Sequence, residues 1–205
     1  MSNFFKTLSK PAKWILVIGS LVYATWFAVQ TAGSIQGTFM SVASHIIILV
    51  VGSALLFSVP ILVLFKKIDV AKIAFLILAG YWLISTTRSM FGYAEQYCND
   101  YQPAVAVVGG IFAFLTALCL VGVIVLIVLE FAAKKPGLRL FAFFAMFGVI
   151  LFALLTGIML FIARIDEGYN TWTYTANVFV EYLLVPTIVC FGCLFFLGGP
   201  KGKGE

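Results

Sequence analysis

Long apolar runs separated by short polar clusters dominate this chain. Six runs stand out, at about 14–31, 42–65, 71–91, 104–131, 138–162 and 172–197. Crossing a hydrocarbon core of about 30 Å takes roughly 20 helical residues at 1.5 Å each, so every run is long enough. Strict alternation of apolar and polar residues is absent, which argues against a lipid-facing barrel. Unbroken apolar runs fit helices, which satisfy their own backbone groups in lipid. The pattern therefore predicts an all-α integral membrane protein. Residues 1–205 form one bundle of six transmembrane helices, with short connections and no attached soluble domain.

Composition supports the same class. Of 205 residues, 63% are hydrophobic and only 10% charged, and the mean hydropathy is +1.12. A soluble domain of this length cannot hide that much apolar surface. The positive residues then set the orientation. Lys6, Lys10 and Lys13 precede the first run, and Lys66, Lys67 and Lys72 flank the second connection. Lys134, Lys135 and Arg139 flank the fourth, and Lys201 and Lys203 follow the last run. Only Arg88 and Arg164 lie towards the other side, which carries Glu95, Asp100, Asp166 and Glu167. The positive-inside rule places both termini in the cytoplasm. The compact loops suit a plasma membrane, specifically a bacterial cytoplasmic membrane. The formal charge of +5 reflects this topology together with attraction for anionic lipid. No basic face is large enough for nucleic acid. The charged start "MSNFFKTLSKPAKW" leads into an apolar run longer than an ordinary signal-peptide core, and reads as an uncleaved first span.

Polar residues are unevenly distributed within the runs. The cytoplasmic halves are almost wholly apolar, and the outer halves hold the exceptions. Gln30 and Thr31 end the first run, Ser41, Ser44 and His45 open the second, and Ser85, Thr86, Thr87 and Arg88 end the third. Tyr174, Asn177 and Glu181 enter on the sixth, spaced by three and four residues, and so share one helical face. Glu181 lies nine residues, or about 14 Å, from Trp172, an aromatic that marks the outer interface. An unpaired ion in hydrocarbon costs at least about 2.5–3.5 kcal/mol. Glu181 therefore calls for a structural ion pair, as with Arg88, or hydrogen bond that fixes helix register, an outward-open pocket that binds a polar or cationic solute, or a protonated carboxyl that carries protons. The candidate solute or ion site is Glu181, Asn177, Tyr174, Arg88 and His45. In that site Glu181 binds a cation or donor group, and Arg88 is a charge partner or anion ligand.

The outer connections "FGYAEQYCNDYQP" and "DEGYNTWTY" supply rings at headgroup depth: Tyr93, Tyr97, Tyr101, Tyr169, Trp172 and Tyr174. Those rings form an interfacial belt, a lid over an outer pocket, or a docking face for another subunit. Small residues recur every four positions at Ser20, Ala24, Ala28 and Ala32, and again at Gly109, Ala113 and Ala117. Such ladders let helix backbones approach closely within the bundle. Pro60 and Pro186 each lie inside a run and free the carbonyls of Leu56 and Tyr182.

Enzyme chemistry finds little support. Cys190 and Cys193 have redox spacing but sit in the apolar inner half, where a thiolate is disfavoured. Cys98 has no outer cysteine mate. There is no phosphate-binding glycine loop and no catalytic triad. His45 is the single histidine, so a histidine-rich zinc site or a bis-histidine haem has no ligands, and neither cofactor nor metal is expected. The functional expectation is a small membrane transport protein, or the membrane subunit of a transport complex, with a polar site open to the extracytoplasmic side. The competing expectation is a non-catalytic accessory subunit contacting another membrane protein through its outer polar residues. The two differ in direction: a transporter turns Asn177 and Glu181 into its own bundle, whereas an accessory subunit turns them outwards.

Overall fold

A computed structural model describes residues 2–35, 39–99, 102–133, 139–166 and 172–198. The chain folds into helices α1 (Ser2–Gly33), α2 (Phe39–Leu64), α3 (Ile68–Cys98), α4 (Pro103–Ala133) and α5 (Arg139–Asp166), followed by a last helix in three parts. These parts are α6 (Trp172–Phe179), a π-helical turn (Val180–Leu184) and α7 (Val185–Gly198). Counting the last three as one rod, six helices among the described residues are long and apolar enough to cross a membrane.

Local chemistry sets the ends. α2 stops in a Schellman turn: the Lys67 N–H donates to the Leu62 carbonyl at 2.9 Å and the Lys66 N–H to Val63 at 3.3 Å. Lys66 takes the left-handed conformation this requires, with φ 58°. α4 begins on Pro103, whose missing N–H is no loss in a first turn. α3 runs further than the sequence predicts. The segment 91–98, read above as part of an outer loop, continues the helix to Cys98. Nothing between Arg88 and Cys98 breaks a helix except Gly92, and the stop comes at Asn99. Tyr93 consequently leaves the expected interfacial belt: it is 3% exposed, packed against Gly109 of α4, and its hydroxyl donates to the Thr156 carbonyl of α5 at 3.3 Å.

Each helix packs on its chain neighbours, and the ring closes through contacts of α1 and α5 with the last helix. α7 also touches α3 and α4, so it lies inside the ring. Half of the apolar window in the last helix is buried (50%), against 22–33% in the other five. Around it, Leu16, Val59, Val63, Phe75, Leu120, Val123, Ile188 and Val189 form a dry core. The two ladders work within this packing: Ser20, Ala24, Gly109 and Ala113 are buried, and exposure rises towards Ala32. Outwardly, α2 presents Ile46, Ile47, Val50 and Val51, and α5 presents Phe144 and Phe147, all exposed. An exterior of this kind fits a membrane protein.

Lys134, Lys135, Lys201, Lys203, Asp100, Tyr101, Glu167 and Tyr169 lie outside the described residues, as do the side chains of Lys6, Arg139, Arg164, Asp166, Trp172 and Tyr174.

Candidate functional site

The π-helical turn is the irregular element of the bundle. Pro186 has no N–H to give to the Tyr182 carbonyl, so an α-helical bond is impossible there. The backbone responds one residue earlier: the Val185 N–H donates to Val180, five residues back, instead of four. One extra residue enters the turn, and single π turns of this kind gather at functional sites. Glu181 is the second residue of that turn.

A glycine holds the turn in place. A Cβ on Gly157 of α5 would lie 2.7 Å from the Tyr182 Cβ and 3.2 Å from its Cγ, so only glycine lets Tyr182 approach α5 this closely. The Tyr182 hydroxyl lies 3.1 Å from the Ser89 Oγ of α3, which ties the turn to two helices. These contacts aim Tyr182 to one side and Glu181 to another.

On that other side lies a cavity of about 140 Å³. α1 contributes Tyr23, Trp26, Phe27 and Gln30. α3 contributes Tyr81, Trp82 and Ser85, spaced as one helical face. The last helix closes it with Asn177, Glu181 and Val185. Five of these ten residues are aromatic, and one is charged. Tyr23, Tyr81 and Glu181 lie close enough to interact electrostatically. Among the described residues, the Glu181 carboxylate has no hydrogen bond and no ion pair, and it retains accessible surface. The side chains of Asn177, Gln30 and Ser85 likewise make no hydrogen bond to described residues.

The sequence candidates divide on this geometry. Asn177 and Glu181 face one cavity, as their four-residue spacing implied. Tyr174 is on the same helix one turn earlier, with its side chain outside the described residues. Arg88 is exposed, is absent from the cavity lining, and is not paired with Glu181. His45 on α2 also lies off the lining, with its Nδ1 2.7 Å from the Ser41 carbonyl of its own helix. A ring nitrogen bound to a carbonyl must be the protonated one, so Nδ1 donates here. Sequence reasoning missed Tyr23, Trp26, Phe27, Tyr81 and Trp82. In an apolar run every face looks alike, and no periodicity marks the one that turns inwards.

The cysteines do not approach a reactive arrangement. All four are free thiols, and Cys190 is buried with its Sγ 3.1 Å from the Met146 carbonyl. No group of three or more metal-ligating side chains occurs among the described residues.

A second hollow, lined by Leu21, Val22, Thr25, Trp26, Val29 and Val180, runs along the outside of α1. Trp26 separates it from the cavity. Comparison with protein-family models, with curated proteins and with solved structures finds no match.

Proposed function

We propose that this protein is a small plasma-membrane transport protein, or the membrane subunit of a transport complex, with its solute site in the cavity around Glu181. The observation that carries this reading is the direction of Asn177 and Glu181. They line a partly open hollow together with α1 and α3, Glu181 exposed into it and Asn177 half-buried; an accessory subunit would turn them to its outer surface. A carboxylate in hydrocarbon is costly without a partner, and Glu181 has no hydrogen bond or ion pair among the described residues, which supports a binding role over a structural peg.

In this reading the six helices cross the membrane with both termini cytoplasmic, following the lysines and arginines. The cavity then lies in the outer half. α1 reaches it within its last three turns, and Val185 marks its floor. Below the floor, Ile188, Val189 and Cys190 are buried, which supports a form open on one side only. Irregular helix turns gather at functional sites, and the π turn before Pro186 places its irregularity beside this cavity.

The test is thermal stability of the detergent-purified protein against a panel of cationic, anionic and neutral polar solutes, with Glu181→Gln in parallel. A solute that raises the melting temperature of the native protein, and not of the variant, supports the reading. A panel without effect on either protein refutes it and returns the search to partner subunits.

A further inference from the structure

The cavity has a chemical character that a generic polar site lacks. Among the described residues its single formal charge is the Glu181 carboxylate, and no lysine, arginine or histidine lines it. An anionic guest would find no counter-charge. Around the carboxylate stand the rings of Tyr23, Trp26, Phe27, Tyr81 and Trp82. Aromatic rings attract cations through their quadrupole, with tryptophan the strongest, and cages of such rings are a known means of holding alkylated ammonium groups.

Inorganic cations fit poorly. A metal ion stripped of water takes about six to eight oxygen ligands. Here the oxygens are spread over three helices among bulky rings with a single carboxylate, and no group of three or more metal-ligating side chains occurs among the described residues. A methylated ammonium is different, because its alkyl shell is itself apolar and is only weakly hydrated. Such a shell suits rings, while the central charge still answers Glu181. Size agrees as well. A cavity of about 140 Å³ is close to the roughly 150 Å³ in which an engineered protein cavity holds benzene. The guest therefore has about five to seven non-hydrogen atoms by that comparison.

Resting on the reading of this cavity as a solute site, we propose that its ligand is a small alkylammonium cation, held by Glu181 and caged by Trp26, Tyr81 and Trp82. The Gln30 and Asn177 amides and the Ser85 hydroxyl would receive a hydroxyl or N–H carried by the same guest.

The probe is tetramethylammonium, with potassium as the alkyl-free cation and tert-butanol as the uncharged comparator of similar shape. Two of the chain's four tryptophans, Trp26 and Trp82, line the cavity, so intrinsic fluorescence reads occupancy directly in the purified full-length protein at constant ionic strength. Tetramethylammonium should give a saturable change, and potassium and tert-butanol none. Glu181→Gln should weaken binding at least about tenfold. Tyr81→Leu, at a half-exposed position where folding is little at risk, should weaken it about three- to tenfold. Both variants must first show native circular dichroism and a single gel-filtration peak. Tert-butanol or potassium binding as well as tetramethylammonium overturns the proposal. So does tetramethylammonium binding that neither variant changes. If an anionic or neutral solute binds in a Glu181-dependent way and tetramethylammonium does not, the ammonium proposal falls while the solute site stands. If nothing on either panel binds, the solute site falls with it.

Discussion

Gly157→Ala is the sharpest probe of how the bundle positions Glu181. The added methyl would meet the Tyr182 Cβ at 2.7 Å, its Cγ at 3.2 Å and the Val178 Cγ1 at 3.6 Å. The first of these is the atom bonded directly to the backbone, so a rotamer change cannot relieve it; the π turn itself must move. Overpacking of this kind typically costs about 1–3 kcal/mol. Against it stands the better helix propensity of alanine, worth about 1 kcal/mol over glycine. The net effect on one variant is therefore ambiguous in size, and a matched control is needed. Gly92→Ala in α3 supplies it, because a Cβ there meets nothing within 4 Å. Both variants gain the same propensity term, so their difference isolates the overlap.

For a chain of this size about 1 kcal/mol moves the melting temperature by roughly 2–4 °C. Gly157→Ala should thus melt about 2–12 °C below Gly92→Ala in the same detergent. The second readout is binding. The shifted turn carries Glu181 out of the cavity wall, so Gly157→Ala should lose tetramethylammonium affinity, while Gly92→Ala keeps it. Equal melting temperatures would refute the close packing of Tyr182 on α5. A lower melting temperature with unchanged binding would refute the link between that packing and the position of Glu181.

Other outcomes follow from the same geometry. Arg88→Gln should change stability by less than about 0.5 kcal/mol and leave cation binding within about twofold, because Arg88 is exposed; a loss as large as that of Glu181→Gln would show that the two act together. Lys66→Gly should raise the melting temperature, since a lysine at φ 58° bears a strain of about 1–2 kcal/mol that glycine lacks; an unchanged or lower value in thermal unfolding would count against the Schellman turn. Pro186→Ala returns an N–H to the last helix and should stabilise the protein while weakening tetramethylammonium binding, as the π turn relaxes towards α-helix; tighter binding would be the contrary result. A membrane-impermeant maleimide applied to intact cells should label Cys98, exposed at the end of α3, and leave Cys190 and Cys193 untouched. Labelling of Cys98 only after the cells are opened would reverse the orientation.

What the sequence reveals and what it hides divide along a physical line. The apolar runs mark how much of each helix hydrocarbon must cover, and six helices of that length are present. They do not mark where a helix ends, because a helix needs no apolar residues to continue. Segment 91–98 is polar enough to resemble a loop, yet it contains alanine, glutamate and glutamine, which propagate helices well. Glu181 and Asn177 were legible for the opposite reason. A polar side chain in an apolar run has few tolerable destinations, and a shared face four residues apart narrows them further. Tyr23, Trp26 and Tyr81 were hidden because aromatic rings are equally at home against lipid, in a core or around a cation.

The same reasoning explains why the proline was visible and its consequence was not. Pro186 announces a missing donor, and a kink is the usual expectation. The chain instead inserts one residue, and at 3.6 residues per turn that shifts the phase of everything beyond it by about 100°. The two halves of the last helix can then serve different neighbours. α6 brings Asn177 to the cavity, and the turn brings Glu181. α7, rotated onward, buries Ile188, Val189, Cys190 and Cys193 at the centre of the ring. The side of the last helix that carries Asn177 and Glu181 passes through Val185, which still lines the cavity, to Ile188, packed on Gly19 of α1. A polar cavity and a buried apolar core thus follow one another on a single helix, with the π turn and Val185 at the boundary between them.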